Sequence, residues 1–157
     1  MGRALLLVES RDTARAMSEE NVKLHRRAIE AFNARDIEAF IAFCDPGVEW
    51  NSTFAAIGGA IYHGHEGIRK WDREWREVWG DEIRAEPEAY FDLGEHTVAF
   101  YLLHGRGKQS GVKVTLAIAA VARWRNGLIT SFKGYAHRED AFRDLGVAED
   151  ALDPLAP

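Results

Sequence analysis

Apolar residues recur every three or four positions in the first part of the chain, a spacing typical of helices. Ser18 is a favourable N-cap for the first helix, since a serine side chain accepts a hydrogen bond from the first turn. The stripe that follows predicts a helix from residue 18 to about residue 35, and it comprises Val22, His25, Ile29 and Phe32. We expect His25, on this stripe, to be a hydrogen-bonded core residue.

Two further helices are predicted before residue 80. Asp36 can cap the first, whose apolar spacing continues to Cys44 before Pro46 and Gly47 end it. The second carries an apolar stripe opposite a face of paired charges; the stripe comprises Ile68, Trp71, Trp75, Val78 and Trp79. Between the two helices, residues 48–53 alternate with period two and predict a strand, whereas residues 54–60 are typical of a flexible apolar loop.

The second half of the chain is predicted to form β-strands and one closing helix. Four segments alternate in hydrophobicity, at residues 83–91, 96–104, 112–125 and 128–135. Asn126 and Gly127 are typical of a two-residue hairpin turn, and Pro87 marks an edge or a bulge. Residues 138–145 predict a short helix that Gly146 ends. Helices grouped on one side of an antiparallel sheet give an α+β fold.

The third of these strands carries apolar residues on both faces. One face holds Val114, Leu116, Ile118, Ala120, Ala122 and Trp124, and the other holds Ala117, Ala119 and Val121. A strand that is apolar on both faces is expected to be covered on both. Because the helices can cover only one face, we expect a second subunit to cover the other, in a homodimer through Ala117, Ala119 and Val121.

Composition and charge narrow the class of protein. The chain has 157 residues, of which 46% are hydrophobic and 29% charged, as is typical of one soluble globular domain. The net charge is −5 and the basic residues are interleaved with acidic ones, so the sequence lacks the basic stripe of a nucleic-acid-binding protein. The single cysteine, Cys44, excludes an internal disulfide and a cysteine-rich zinc site.

The two ends of the chain are expected to lie outside the domain. The apolar run at residues 4–8 is too short for a secretory signal or a membrane span, so we expect a cytoplasmic protein with no membrane partner. Residues 1–17 are predicted to be a flexible extension, 18–147 the domain and 148–157 a flexible tail. Alternatively, residues 5–8 form a short arm that docks on a partner subunit.

Several segments taken together resemble one known family. They lie at residues 31–37, 45–50, 62–68, 110–112, 125–129 and 139–146, within a match that covers about 18–147. In this order they are similar to the SnoaL-like branch of the nuclear transport factor 2-like superfamily. The resemblance implies a cone-shaped, curved antiparallel sheet wrapped around the three helices of the N-terminal half, plus the short C-terminal helix.

The resemblance also implies chemistry on apolar ring compounds without a metal, as in the ketosteroid isomerases, polyketide cyclases, dehydratases and epoxide hydrolases of the superfamily. The isomerases use an aspartate base with an oxyanion hole made of a tyrosine and a neutral aspartate. In this sequence the position of the base holds Trp50, that of the tyrosine holds Ala28 and that of the neutral aspartate holds Ala120. Steroid isomerisation by that mechanism is therefore not expected.

Three other residues are candidates for acid–base chemistry. Glu49 is adjacent to the base position and would enter the cone after a one-residue shift or a β-bulge, although regular alternation places Trp50 inward instead. On the strand at residues 96–104, either His104 faces the cone as an acid or base, or Tyr101 faces it as a hydroxyl that binds a carbonyl or epoxide oxygen. Both faces of that strand are apolar enough for either arrangement.

The predicted pocket is apolar. Its lining comprises Trp50, Phe54, Ile118, Ala120, Ala122, Trp124, Phe132 and Gly134, and the small residues among them would leave space inside the cone. Alternatively, the tryptophans fill this space as a solid core. His63 and His65 could share a metal, but the sequence offers no third ligand, so we expect neither a metal nor a cofactor.

These observations favour a cofactor-free enzyme that isomerises, cyclises, dehydrates or hydrolyses an apolar cyclic small molecule by general acid–base catalysis. Two alternatives stay open on the same fold. One is a small-molecule-binding protein without catalysis, and the other is a protein-interaction module, which would expose an apolar patch.

Overall fold

The computed structural model describes residues 2–52 and 61–157 of the chain. Its helices are α1 (Gly2–Asn33), α2 (Ile37–Ile41), α3 (Gly64–Trp79) and α4 (Arg138–Leu145), followed by a single 3-10 turn at Glu149–Ala151. Its strands are β1 (Cys44–Asn51), β2 (Ile61–His63), β3 (Ile83–Leu93), β4 (His96–Arg106), β5 (Lys113–Arg125) and β6 (Leu128–Tyr135). Within the described residues, no helix is both long enough and apolar enough to cross a membrane.

The six strands form one sheet in the order β2-β1-β6-β5-β4-β3. The predicted α+β fold is confirmed, with four successive antiparallel strands from β3 to β6. One pairing departs from the antiparallel prediction, because β1 runs parallel to β6. β1 also begins earlier than predicted, at Cys44, and its register shifts before Glu49, so Pro46 and Gly47 lie in an irregular strand.

The hairpin turn between β5 and β6 forms where the sequence predicts it. Asn126 and Gly127 have φ angles of 51° and 76°, and both central residues of a type I′ turn need positive φ. Asparagine and glycine tolerate this region better than other residues. The turn fixes the register in which β5 faces β6, and therefore which side chains of the two strands share a face.

A bulge in β3 changes which of its residues face the helices. The register between β3 and β4 shifts between Pro87 and Ala89, as Pro87 predicts. Before the bulge, Ile83 and Ala85 pack in the core beneath α1; after it, Tyr90 takes that side and Phe91 takes the opposite side. The bulge predicted at Pro87 therefore reverses the strand parity after it, so that Tyr90 and not Phe91 faces α1.

Helices α1 and α3 cover the inner face of the sheet. Asn33, the last residue of α1, bonds both backbone groups of Ala85: its amide nitrogen donates to the carbonyl and its amide oxygen accepts from the N–H, each at 2.8 Å. Two hydrogen bonds from one side chain fix the end of α1 against β3. This contact between Asn33 and Ala85 therefore fixes the β3 side of the space between the helices and the sheet.

The start of α1 differs from the prediction. The helix begins at Gly2 rather than at an N-cap on Ser18, and the Ser18 hydroxyl instead donates to the carboxylate of Asp92. Nothing between residues 3 and 33 interrupts the helix, since that stretch contains neither proline nor glycine. The side chains of residues 5–8, proposed as a docking arm, lie outside the part of the chain that the structure describes.

The C-terminal segment, predicted to be a loose tail, contacts the domain. Leu155 exchanges two backbone hydrogen bonds with Tyr90, at 2.8 and 3.0 Å. The Arg26 guanidinium donates to the carbonyl of Ala156 at 2.8 Å and lies over the Tyr90 ring, 5.0 Å from its centroid. The segment is thereby joined both to β3 and to α1.

Helix α4 covers much of the outer face of the sheet. Phe142 packs edge-on against Phe91 and Phe100, with ring centroids 5.2 and 5.6 Å apart, and Ala119 and Val121 are buried in the same cluster. The cover expected from a second subunit over Ala119 and Val121 therefore comes from the same chain, because the closing helix folds back onto the outer face. Ala117 stays exposed.

Self-association through the exposed part of this face stays a prediction. Replacing Ala117 with arginine would place a charge on the exposed part of this face, where a partner subunit would have to bury it, so we expect Ala117→Arg to convert a dimer into a monomer in sedimentation equilibrium. Ala148→Arg, at an exposed position away from the sheet, is the control and should leave the dimer unchanged. A parent protein that is monomeric at high concentration would contradict the prediction.

Candidate functional site

A cavity lies between helices α1 and α3 and the inner face of the sheet. Its wall is mainly aromatic, with the rings of Phe32, Phe40, Trp50, Trp71, Trp75 and Phe132, and small residues, among them Ala28, Ala85 and Ala120, leave the space between them. Its polar side chains in the described part of the chain are His25, Ser52 and Tyr101, together with the indole N–H groups. No carboxylate, lysine or arginine of those residues lines it.

The aromatic rings fill most of the space that the fold encloses. Trp50 stacks on Phe132, with ring centroids 3.8 Å apart and the planes 6° from parallel, and it contacts Trp71 at 5.1 Å. The free volume is about 60 Å³, whereas an apolar cavity that accepts benzene measures roughly 150 Å³. A ring compound would therefore have to displace one of the half-buried rings, of which Trp75 and Phe132 are two.

Two buried indole groups in this wall lack hydrogen-bond partners. The Nε1 atoms of Trp50 and Trp71 have no acceptor among the described residues, although the two residues are only 2% and 7% exposed. A buried N–H without an acceptor costs about 1–3 kcal/mol. The wall thus contains two donors that no described acceptor satisfies.

His25 is the most deeply placed polar residue of the cavity. It is 3% exposed, and its Nδ1 lies 2.7 Å from the hydroxyl oxygen of Thr97. The same hydroxyl oxygen accepts a hydrogen bond from Trp124 Nε1 at 2.8 Å. Burial lowers the pKa of His25 to about 4, so the ring is neutral at pH 7.

Tyr101 supplies a hydroxyl group to the cavity. The residue is half-buried on the inner face of β4, beside Ala120 of β5 in the cavity wall. Burial raises the pKa of its hydroxyl, and the nearby Tyr90 raises it further, so the group stays protonated near neutral pH. A protonated hydroxyl in an apolar setting is suited to donate a hydrogen bond to a carbonyl or epoxide oxygen.

The structure decides between the two predicted orientations of β4. Tyr101 and Leu103 line the cavity, whereas His104 points away from it. The His104 ring contacts Glu86 Oε2 at 2.7 Å through Nε2 and the Thr115 hydroxyl at 3.1 Å through Nδ1. Of the two alternatives, the one in which His104 faces the cone is therefore wrong, because the apolar residues on its side of the strand pack against α4 and not in the cavity.

Glu49 also lies outside the cavity. Regular alternation holds at the end of β1, so Trp50 is buried and Glu49 is exposed on the other face. The register shift that could have turned Glu49 inward occurs before it, between Cys44 and Glu49. Of the three predicted acid–base residues, the structure brings only Tyr101 to the cavity.

The predicted lining residues fall into three groups. Trp50, Ala120 and Phe132 line the cavity. Ile118, Ala122 and Trp124 are buried in the core on the same face of β5, and Gly134 pairs with Ala120, but none of these four lines the cavity. Phe54 lies outside the described residues.

His25 is a hydrogen-bonded core residue, as the sequence predicts, and it also lines the cavity, which the sequence analysis does not predict. One turn further along α1 lies Ala28, at the position that the family resemblance matches to the hydroxyl donor of the ketosteroid isomerases. Residues one turn apart share a helix face, and both line the cavity. The spacing of His25 and Ala28 is the sequence signal that points to the cavity. No sequence signal indicates the contact of His25 with Thr97, 72 positions away in the chain.

The described residues contain no group of three histidine, cysteine or acidic side chains that could hold a metal ion. The Nε2 atom of His65 lies 2.9 Å from the carbonyl oxygen of Cys44, so this ring is engaged with the backbone. Burial raises the pKa of the Cys44 thiol to about 12, which keeps it protonated.

Comparison with known proteins identifies the family. The model of the SnoaL-like domain matches residues 25–132, more than half of the chain. The chain belongs to the SnoaL-like domain family. No curated protein matches this SnoaL-like chain.

Solved structures share the fold of this SnoaL-like protein at low sequence identity. A nuclear transport factor 2-like protein of unknown function from Burkholderia pseudomallei K96243 is 24% identical, with a TM-score of 0.69 over 79% of this chain and 95% of its own. TerC, co-crystallised with polyporic acid, is 24% identical, with a TM-score of 0.67 over 80% and 97%. A hypothetical protein with a ketosteroid isomerase-like fold from Catenulispora acidiphila DSM 44928, in complex with trimethylamine, is 16% identical, with a TM-score of 0.65 over 81% and 95%.

The lowered pKa of His25 predicts a pH dependence of the SnoaL-like fold. Between pH 6.5 and 4 the unfolded chain binds a proton at His25 that the folded chain does not, so the free energy of unfolding falls as the pH falls. We expect this residue to account for about 3 kcal/mol of that fall, measured by urea unfolding at several pH values. His25→Phe should flatten the pH dependence. Parallel curves for the parent and His25→Phe would contradict the assignment.

Proposed function

We propose that this SnoaL-like protein binds an apolar cyclic small molecule in the cavity and acts on it as a cofactor-free isomerase or cyclase. The observation that carries the proposal is the composition of the wall, which is aromatic and alanine-rich, with a few uncharged polar groups. Such a wall favours ring compounds, and the polar groups fix their orientation. The co-crystallisation of TerC, a fold relative, with polyporic acid supports the same class of ligand.

In this proposal Tyr101 is the group that acts on the ligand. Its protonated hydroxyl donates a hydrogen bond to a carbonyl or epoxide oxygen and stabilises negative charge that develops there. The aromatic wall excludes water, so the local dielectric constant is low and this hydrogen bond is stronger than it would be in water. Glu49 and His104 take no part, since both lie on the far side of the sheet.

A second candidate is a binding protein without catalysis, and one observation favours it. No carboxylate of the described residues lines the cavity, and the only histidine there is a weak base because burial lowers its pKa to about 4. Proton abstraction from a carbon atom needs a stronger base than these groups provide. The two candidates agree on the ligand and differ on turnover.

Binding tests both candidates together. We expect intrinsic tryptophan fluorescence to change, and the melting temperature to rise by about 5–10 °C at a hundredfold excess over Kd, with members of a panel of polycyclic ketones, phenols, steroids, cyclic epoxides and polyporic acid. Ala120→Leu places a larger side chain in the cavity and should abolish both responses. Ala117→Leu makes the same change on the opposite face of β5 and should preserve them. No response from the parent to any compound would favour a protein-interaction module.

Turnover separates the enzyme from the binding protein. For a compound that binds, Tyr101→Phe removes only the hydroxyl, so we expect product formation, followed by mass spectrometry, to fall about a hundredfold while binding weakens much less. A parent that binds the compound and forms no product would establish the binding protein instead.

A further inference from the structure

We propose that His25 is a ligand-binding residue that donates a hydrogen bond from Nε2 into the cavity, and that Thr97 and Trp124 position it to do so. The inference rests on the proposed function, because it concerns the ligand of the same cavity. It adds a further donor to Tyr101, on a different element of the fold, and a buried hydrogen-bond relay from Trp124 through Thr97 that determines the direction of its hydrogen bond.

The hydrogen bond at the Trp124 end of this relay has a defined direction. An indole nitrogen can only donate, so the contact of 2.8 Å between Trp124 Nε1 and the Thr97 hydroxyl oxygen is a bond from tryptophan to threonine. Thr97 is 0% exposed, and the described residues offer its own hydroxyl proton a single acceptor, His25 Nδ1 at 2.7 Å. A fully buried hydroxyl that donates to nothing is costly, so Thr97 donates to His25.

This direction fixes the tautomer of the imidazole ring. An Nδ1 atom that accepts from Thr97 carries no proton, so the proton of the neutral ring resides on Nε2. The reverse arrangement would give the Thr97 oxygen two incoming donors and leave its own proton without an acceptor. Neutrality of the ring follows from the same burial that lowers the His25 pKa.

The Nε2–H group is free to bind a ligand. No described residue accepts a hydrogen bond from it. The His25 ring packs between Tyr90, which it meets edge-on with centroids 5.6 Å apart, and Trp124, and it lines the cavity. The buried N–H groups of Trp50 and Trp71 also have no acceptor among the residues that the structure describes. Several donors without acceptors around one apolar space select a ligand with an acceptor oxygen over one with a cationic nitrogen.

Nuclear magnetic resonance of the 15N-labelled parent tests the tautomer. We expect the His25 ring to show the signals of a neutral imidazole protonated at Nε2, and the Nε2 signal to move when indan-1-one is added. Thr97→Val should allow the other tautomer to appear, and Thr97→Ser, which keeps the hydroxyl, should restore the parent signals. A parent ring protonated at Nδ1 would overturn the inference.

Three matched probes test the donor by affinity. Indan-1-one, indane and 1-aminoindane share one ring system and differ in a carbonyl oxygen, a hydrogen and an ammonium group. We expect the parent to bind indan-1-one roughly three- to tenfold more tightly than indane, as one hydrogen bond provides, and to bind 1-aminoindane most weakly. His25→Phe should bind indane like the parent and lose most of the preference for the ketone.

The outcomes separate this inference from the proposed function. If the parent binds indane and indan-1-one equally well, or if His25→Phe keeps the preference, the donor role of His25 is overturned and the pocket stands. If the parent binds none of the three probes, the proposed pocket fails and this inference fails with it.

Discussion

Strict alternation of side chains along β4 and β5 is the constraint on which the structure depends. Successive residues of these strands point to opposite faces, and each face has its own cover: α1 and α3 on one side, α4 on the other. Thr97, Tyr101 and Ala120 lie on one side because of this parity, and Phe100 and Val121 lie on the other. A shift of one residue in β4 would turn Tyr101 away from the cavity and Thr97 away from His25.

The same alternation explains what the sequence could and could not predict. Periodicity located the helices and strands well, and Asn126-Gly127 located the hairpin, because these signals are local. The inward face of β4 could not be decided, since α4 makes the outer face of that strand almost as apolar as the inner one. The parallel pairing of β1 with β6 and the three-residue strand β2 also depend on contacts between distant parts of the chain.

The candidate site was harder to predict than the fold for a related reason. Tyr101 could be proposed from its residue type and strand, and Trp50, Ala120 and Phe132 from their place on the inner face. His25 needed knowledge of Thr97 and Trp124, which lie on other elements, and a histidine on an apolar helical stripe is usually only a core residue. What distinguishes it is the hydrogen-bond network around it, and a sequence pattern does not record such a network.

The pairing of Leu155 with Tyr90 has a consequence for how copies of the chain behave towards one another. β3 is an edge strand of the sheet, and an uncovered edge strand can pair through its backbone N–H and C=O groups with an extended segment of another chain. Leu155 occupies the N–H and the C=O of Tyr90, and Pro87 has no N–H to offer. Residues 155–156, which Arg26 holds in place, therefore cover the backbone of β3 at Tyr90, and their removal would leave this part of the sheet edge free to pair with another copy of the chain.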